Sequence, residues 1–162
     1  MITDDAEEFL GWLPDRSKLL GLDLGRKTIG LAVSDAARTV ASPLDTIRRK
    51  KFSLDVKLLL QLLHERRIAG LVIGLPLNMD GTEGANCQSA RQFARNLGGH
   101  TDLPILFWDE RLSTVAVTRA LLEADAPRAK RAQVVDKMAA AYILQSALDR
   151  ISSISSEQGP EK

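Results

Sequence analysis

The chain carries one cysteine, Cys87, and two histidines, His64 and His100. A single thiol cannot close an internal disulfide, and nothing near it resembles a thiolate metal site. Neither histidine has a paired ligand or a triad partner, so both read as structural or surface residues and Cys87 as a small buried or half-buried thiol. No apolar run approaches the roughly 20 residues that cross a bilayer, so no membrane partner is expected. The opening stretch MITDDAEEFLGWLPDRSK begins with acids and lacks the basic start and apolar stretch of an export signal; a cytoplasmic location is the expectation. Charge of one sign is missing too. With 22 Lys and Arg against 21 Asp and Glu, the net charge of +1 is no bulk signature of a nucleic-acid binder, and only local clusters can supply one. No internal repeat, coiled-coil pattern or other dimer motif is visible, and a monomer or weak homodimer is expected.

What is present is one domain's worth of alternating apolar segments. KLLGLDLG and TIGLAVSD read as a hairpin joined by Gly25, Arg26 and Lys27, and SPLDTIRR as a third extended piece completing a meander. SLDVKLLLQLLHERR has helical length and periodicity, with Ser53 as its N-cap and arginines at the end the helix dipole favours. GLVIGLP reads as a short buried strand, LPLNMDGTEG as a loop, and residues 86–97 as a helix. LPILFWDE is a further strand, and STVAVTRALLEA a further helix capped by Ser113 or Thr114. Residues 125–132 read as a polar, basic connector before the last helix, QVVDKMAAAYILQSALDRI. Residues 1–18 form an N-terminal extension with no assigned role, 19–150 the domain, and 151–162 a tail expected to be disordered. Strands first clustered and then alternating with helices predict an α/β fold, a mixed sheet covered by helices with its site at the strand ends.

Within this pattern the carboxylates are out of place. Asp23 lies inside an apolar strand, on the opposite face from Leu22 and Leu24. Burial strips a carboxylate of its hydration, so Asp23 needs a shifted pKa or a compensating cation. Asp109 and Glu110 end LPILFWDE and, being adjacent, point to opposite faces; only one can join Asp23, and spacing does not choose between them. Asp136 begins the last helix with Ala139, Ala140 and Ile143 at i+3, i+4 and i+7, on an apolar face whose small residues let the helix approach the sheet closely. Plainer roles exist for two of these: Asp136 as a first-turn acid favoured by the dipole, Glu110 as an ion-pair partner of Arg111. Three converging carboxylates would repel one another without a cation, which implies a divalent metal, and oxygen-only donors favour Mg²⁺ or Mn²⁺ over zinc. Phosphoryl transfer and phosphodiester hydrolysis use such sites.

Four stretches in order, GLDLGRKTIGLAVSD, VIGLPLNMDGT, DERLST and the basic segment leading into VVDKMAAAYILQ, resemble the YqgF (RuvX) family of Holliday-junction-resolvase-like and pre-16S rRNA nucleases over about residues 19–150. The resemblance implies a ribonuclease H-like fold: a five-stranded mixed sheet, three strands antiparallel, with helices on both faces. It places the family's catalytic and metal-holding acids on Asp23, Glu110 and Asp136. It implies a nuclease using Mg²⁺ or Mn²⁺ on structured RNA of the ribosomal precursor, in ribosome biogenesis, with four-way DNA junctions in recombination as the alternative substrate. Residues 1–17 have no counterpart in the shared core.

The supporting residues each carry two readings. Arg26 and Lys27 are placed to meet a phosphate backbone, or form a solvated hairpin tip. Asn78 and the amides around it lie near the scissile strand, or simply make a turn. Ser113 and Thr114 offer helix-start N–H groups to a phosphate, or only cap a helix. Arg128, Lys130 and Arg131 form a basic segment able to close over substrate. RRKK at residues 48–51 and ERR at 65–67 each read, alone, as solvated surface. Trp108 reads as core rather than as a platform for stacking bases. Two other function classes compete. A phosphotransferase or ATPase of the actin and sugar-kinase type also opens on a D-x-G hairpin but needs a second such domain and a further phosphate loop, neither of which is evident. A non-catalytic RNA- or ribosome-binding module is argued against by the retention of all three acids.

Overall fold

The computed structural model describes residues 1–114 and 128–158, with side chains described for 1–114 and 136–157. Its strands are β1 (Ile2–Thr3), β2 (Lys18–Leu24), β3 (Thr28–Ser34), β4 (Ala41–Arg48), β5 (Ile68–Leu75) and β6 (Ile105–Asp109). Its α-helices are α1 (Ala6–Trp12), α2 (Phe52–Glu65), α3 (Ala85–Gly98) and α4 (Arg128–Gln158), and a 3₁₀ turn, Glu110–Leu112, follows β6. The sheet runs β1-β6-β5-β2-β3-β4. The expected meander is there, β2 to β3 to β4 antiparallel, while β1, β6, β5 and β2 lie parallel. Parallel neighbours cannot be joined by a tight turn, and α2 and α3 supply the crossovers.

Alternation along each strand sorts the core into two layers. Leu20, Leu22, Ile29, Leu31, Leu71 and Ile73 face α2 and α3, whereas Leu19, Ala32, Val72, Leu106 and Trp108 face α4 and α1. Asp23 shares the second face with Leu19 and Gly21. The free edge at β4 carries Pro43, which has no N–H to offer a neighbour and so blunts strand addition.

Four expectations need correction. The sheet has six strands rather than five, because Ile2–Thr3 pairs in parallel with β6. The extension does more than that: Phe9 of α1 is fully buried among Leu19, Val72 and the α4 side chains. Ser53 is not the cap of α2; that place falls to Lys51, which makes no side-chain cap bond, and the buried Asp55 accepts the Lys50 N–H at 3.0 and 3.2 Å instead. The basic connector is already helical from Arg128, and the chain after residue 150 stays helical to Gln158, with Ile151 and Ile154 buried. The helix expected over residues 113–124 lies, from 115 on, outside the described residues.

Candidate active site

Two glycines set the acids over neighbouring strands. Gly30 on β3 is the pairing partner of Asp23 on β2, and a Cβ at Gly30 would stand 2.0 Å from the Asp136 carbonyl oxygen. Only a residue without a side chain lets α4 press its backbone onto β3 there, and that contact sets Asp136 over the strand beside Asp23. On the other side, Gly74 follows Ile73, the β5 partner of Leu22. A Cβ at Gly74 would meet Glu110 Oε1 at 2.8 Å and Ile143 Cδ1 of α4 at 2.7 Å. Glu110 therefore covers β5, Asp23 projects from β2 and Asp136 sits over β3. Adjacent strands lie about 4.8 Å apart, so the three acids stand in a row on one face at one end of the sheet.

The structure separates the two acids that spacing could not. Asp109 faces away from this row: its carboxylate caps the 3₁₀ turn through the Arg111 N–H and pairs with the Arg111 guanidinium at 2.7 Å. Partial burial pulls the Asp109 carboxyl upward, but the Arg111 hydrogen bonds outweigh it, and the group titrates below its ordinary value. Arg111 also donates to the Met79 carbonyl at 3.2 Å, tying the loop after β5 to the end of β6.

Asp23 is 5% exposed, and among the described residues no fully buried side-chain nitrogen or oxygen lacks a hydrogen-bond partner. Asp136 is half-buried and accepts the Thr28 hydroxyl. Thr28 was not anticipated; it shares strand parity with Gly30, but its partner is 108 residues away, beyond what local pattern reveals. A second tie sets the Glu110 turn against α4: Trp108 Nε1 donates to Ser146 Oγ at 3.1 Å, and Ser146 Oγ donates to the Leu112 carbonyl at 3.0 Å. Trp108 is thus a core residue with a polar tie.

Of the supporting residues, Arg26 and Lys27 are exposed on the hairpin tip just beyond Asp23. Asn78 is exposed, but its amide donates to Thr82 Oγ1 at 3.0 Å and its carbonyl accepts the Gly81 N–H, so it organises its own loop. Ser113 closes the 3₁₀ turn, its hydroxyl donating to the Glu110 carbonyl at 2.9 Å, and Thr114 is exposed after it. Arg128, Lys130 and Arg131 lie in the first turns of α4 with side chains outside the described residues.

Three carboxylates and no nitrogen or sulfur make a hard donor set suited to a cation of the Mg²⁺ type. As the side chains stand, Asp136 is turned onto Thr28, and among the described residues no three His, Cys, Asp or Glu groups are close enough together to hold a metal. The donor type fits such an ion; the grouping is incomplete.

Comparison with known proteins follows the same lines. The RuvX family model, described as Holliday junction resolvase, matches residues 17–150. A Roseobacter denitrificans protein named "Putative pre-16S rRNA nuclease" is 59% identical over 163 residues, covering 99% of this chain and 100% of its own length. One of the same name from Ruegeria pomeroyi is 61% identical over 154 residues, with 95% of this chain and all of that protein covered. Among solved structures, Thermus thermophilus RuvC in complex with a Holliday junction substrate superposes with a TM-score of 0.53 at 17% identity, covering 83% of this chain and 94% of that one. The yeast mitochondrial Holliday junction resolvase Ydc2 gives a TM-score of 0.50 at 11% identity, covering 91% of this chain and 84% of that one. At such identities the structural likeness shows the fold alone, and that fold is ribonuclease H-like.

Proposed function

The chain belongs to the RuvX (YqgF) family, and from that membership we propose that it is a divalent-metal-dependent endonuclease acting on the pre-16S ribosomal RNA precursor. The observation that carries the chemistry is the row of Glu110, Asp23 and Asp136 over three adjacent strands. Three oxygen donors side by side at the end of a sheet are the donor type that hard divalent cations take. Asp23, Glu110 and Asp136 would hold Mg²⁺ or Mn²⁺, Asp136 leaving Thr28 to do so. The bound cation would acidify a water and offset the charge that builds on the scissile phosphate. Around it, Arg26 and Lys27 bind phosphates of the substrate strand from the hairpin tip. The Ser113 and Thr114 segment, Asn78, and the Arg128, Lys130 and Arg131 turn contribute further contacts to that strand. The site of action is cytoplasmic, the unit a monomer or weak homodimer. Among the described residues no helix is long and apolar enough to cross a membrane.

The substrate preference rests on the names of the full-length relatives and on charge. A junction resolvase must hold several duplex arms at once, which calls for a broad cationic surface, whereas this chain is at +1. The test offers the purified chain a precursor RNA extended beyond the 16S end and, separately, a four-way DNA junction. RNA is cut in Mg²⁺ or Mn²⁺, weakly in Ca²⁺ and not in excess chelator, because the larger ion holds water and phosphate less rigidly. Full activity in chelator overturns the metal. Symmetric cutting of junctions, with much tighter binding than precursor RNA at physiological salt, transfers the proposal to junction resolution.

A further inference from the structure

Two basic stretches that look unrelated in sequence become neighbours in the sheet. Thr28 pairs with Arg48 across β3 and β4, and the Arg49 N–H donates to the Lys27 carbonyl at 2.8 Å. This sets Arg26 and Lys27 beside residues 48–51, giving six cations at one corner of the molecule. Arg49 is half-buried and the other five are exposed. Among the described residues none of the six forms an ion pair. Of the carboxylates near this corner, Asp55 is buried and turned onto the backbone N–H of Lys50 at 3.0 and 3.2 Å, and Asp45 and Glu65 share a neighbouring pocket with Arg48 and Lys50 without an ion pair to either. Like charges gathered without direct ion pairs repel one another, and a bound anion relieves them.

Beside this corner opens a cleft of about 520 Å³, with Arg26, Arg49 and Lys50 on one wall and Asn86 and Ser89, from the start of α3, on the other. The volume falls in the range of small-ligand sites, room for about one nucleotide. Arg49 is held in place on the cleft wall: its Nη1 donates to the Gly25 carbonyl at 2.7 Å, and its guanidinium lies over the Phe93 ring at 5.6 Å from the centroid. A guanidinium carries five N–H donors, so fixing one leaves a fork for phosphate oxygens. No acid stands in the first turn of α3 to oppose an anion.

The cleft opens at the same end of the sheet as the candidate active site, on its α3 face, around the tip of the β2–β3 hairpin. It is lined by Leu24, Gly25 and Arg26, the residues that directly follow Asp23. Three residues of extended chain span at most about 10 Å, so the cleft lies a short reach around the hairpin tip from Asp23. We propose that this cleft is a second phosphate site, holding the sugar–phosphate backbone of the substrate strand a short way from the cut as the strand rounds the hairpin tip, with Arg49 and Lys50 as its cations and Asn86 and Ser89 as hydrogen-bonding groups. The proposal rests on the nuclease reading only for the position of the cut. Binding itself is independent of cleavage.

The test measures binding of fluorescent single-stranded RNA and DNA oligonucleotides of matched sequence to the full chain in chelator, by anisotropy across a salt series. Arg49→Gln combined with Lys50→Gln is expected to weaken both at least about 10-fold and to flatten the log K against log salt slope by about 1.4, two lost phosphate contacts on a single strand. Asn86→Asp is the informative single change. An acid in a first helical turn favours the helix, so its melting temperature holds or rises while affinity for oligonucleotide falls about 10-fold. Because Arg49 also anchors the turn, Lys50→Gln alone and Asn86→Asp carry the test if the double variant fails to fold. Arg66→Gln with Arg67→Gln, exposed at the far end of α2, is the control and binds as the parent does. The proposal is overturned if the cleft variants bind within twofold of the parent, if the control loses as much, if the parent binds neither oligonucleotide at low salt, or if the loss is confined to RNA or to DNA. Cleft-dependent binding without cutting of any substrate in Mg²⁺ upholds the cleft and defeats the nuclease reading. Cutting and binding that ignore the cleft changes do the reverse.

Discussion

Asp35 closes the turn after β3 with both carboxylate oxygens, accepting the Thr39 hydroxyl at 2.6 Å and the Thr39 and Val40 N–H groups at 2.8 and 3.0 Å. The Thr39 hydroxyl first, and then these backbone bonds, lower its pKa from 3.8 to about 2. A carboxyl depressed by folding stabilises the fold above its unfolded pKa, and that contribution disappears as pH falls through the folded value. Melting temperature is therefore expected to drop across the window from 3.8 to about 2, and Asp35→Asn to drop less over the same window; parallel curves for the two chains would refute the assignment. The three acids of the row place like charges side by side on one face of the sheet. Removing one charge relieves repulsion, so Asp23→Asn, Glu110→Gln and Asp136→Asn are expected to melt at or above the parent temperature in chelator. At this scale much was legible: Asp23 stood out because an apolar strand has no use for a carboxylate. Which of Asp109 and Glu110 joins it was not, since alternation shows that they diverge without showing which way the strand faces. That depends on how α4 covers the sheet.

At the scale of elements, the decisive contact is α4 against β3 at Gly30. An added Cβ would collide with backbone rather than with a flexible side-chain end, so Gly30→Ala must displace the helix. It is expected to cost on the order of 3 kcal/mol and to lower cleavage as Asp136 moves with its helix; a melting curve and a cleavage assay on the same preparation check both. The hairpin, the meander and the buried strands could be read from alternation and turn residues because those signals are local. The end of α4 could not. Leu148, Ile151 and Ile154 continue one apolar stripe at i+3 spacing, but the serines between them read as tail until a sheet and α1 are there to bury the stripe. The start of α2 misled for a similar reason: Ser53 is a good capping residue by type, yet it is exposed, and Asp55 two positions later takes the Lys50 N–H.

At the scale of the whole molecule, the N-terminal segment is part of the core, through β1 on the sheet edge and Phe9 beneath α4. A two-residue strand pairing with one a hundred residues away leaves no local trace, which is why the segment had no assigned role. Phe9→Ala is expected to cost about 3–5 kcal/mol in denaturant unfolding, the range for emptying a buried phenylalanine; a change under about 1 kcal/mol would mean the segment merely rests on the domain. Folding also redistributes charge. A chain balanced at +1 gathers six cations at one corner, beside a row of acids that neutral bulk composition conceals. The central claim is that this row is the catalytic centre, and single-turnover cleavage of end-labelled precursor RNA in Mg²⁺ tests it most directly, with the parent, Asp23→Asn, Glu110→Gln and Asp136→Asn compared beside their melting curves. The account predicts that each substitution slows cleavage by about 100-fold or more while the fold melts no lower than the parent. Cleavage kept within about tenfold of the parent, or lost only together with the fold, would contradict it.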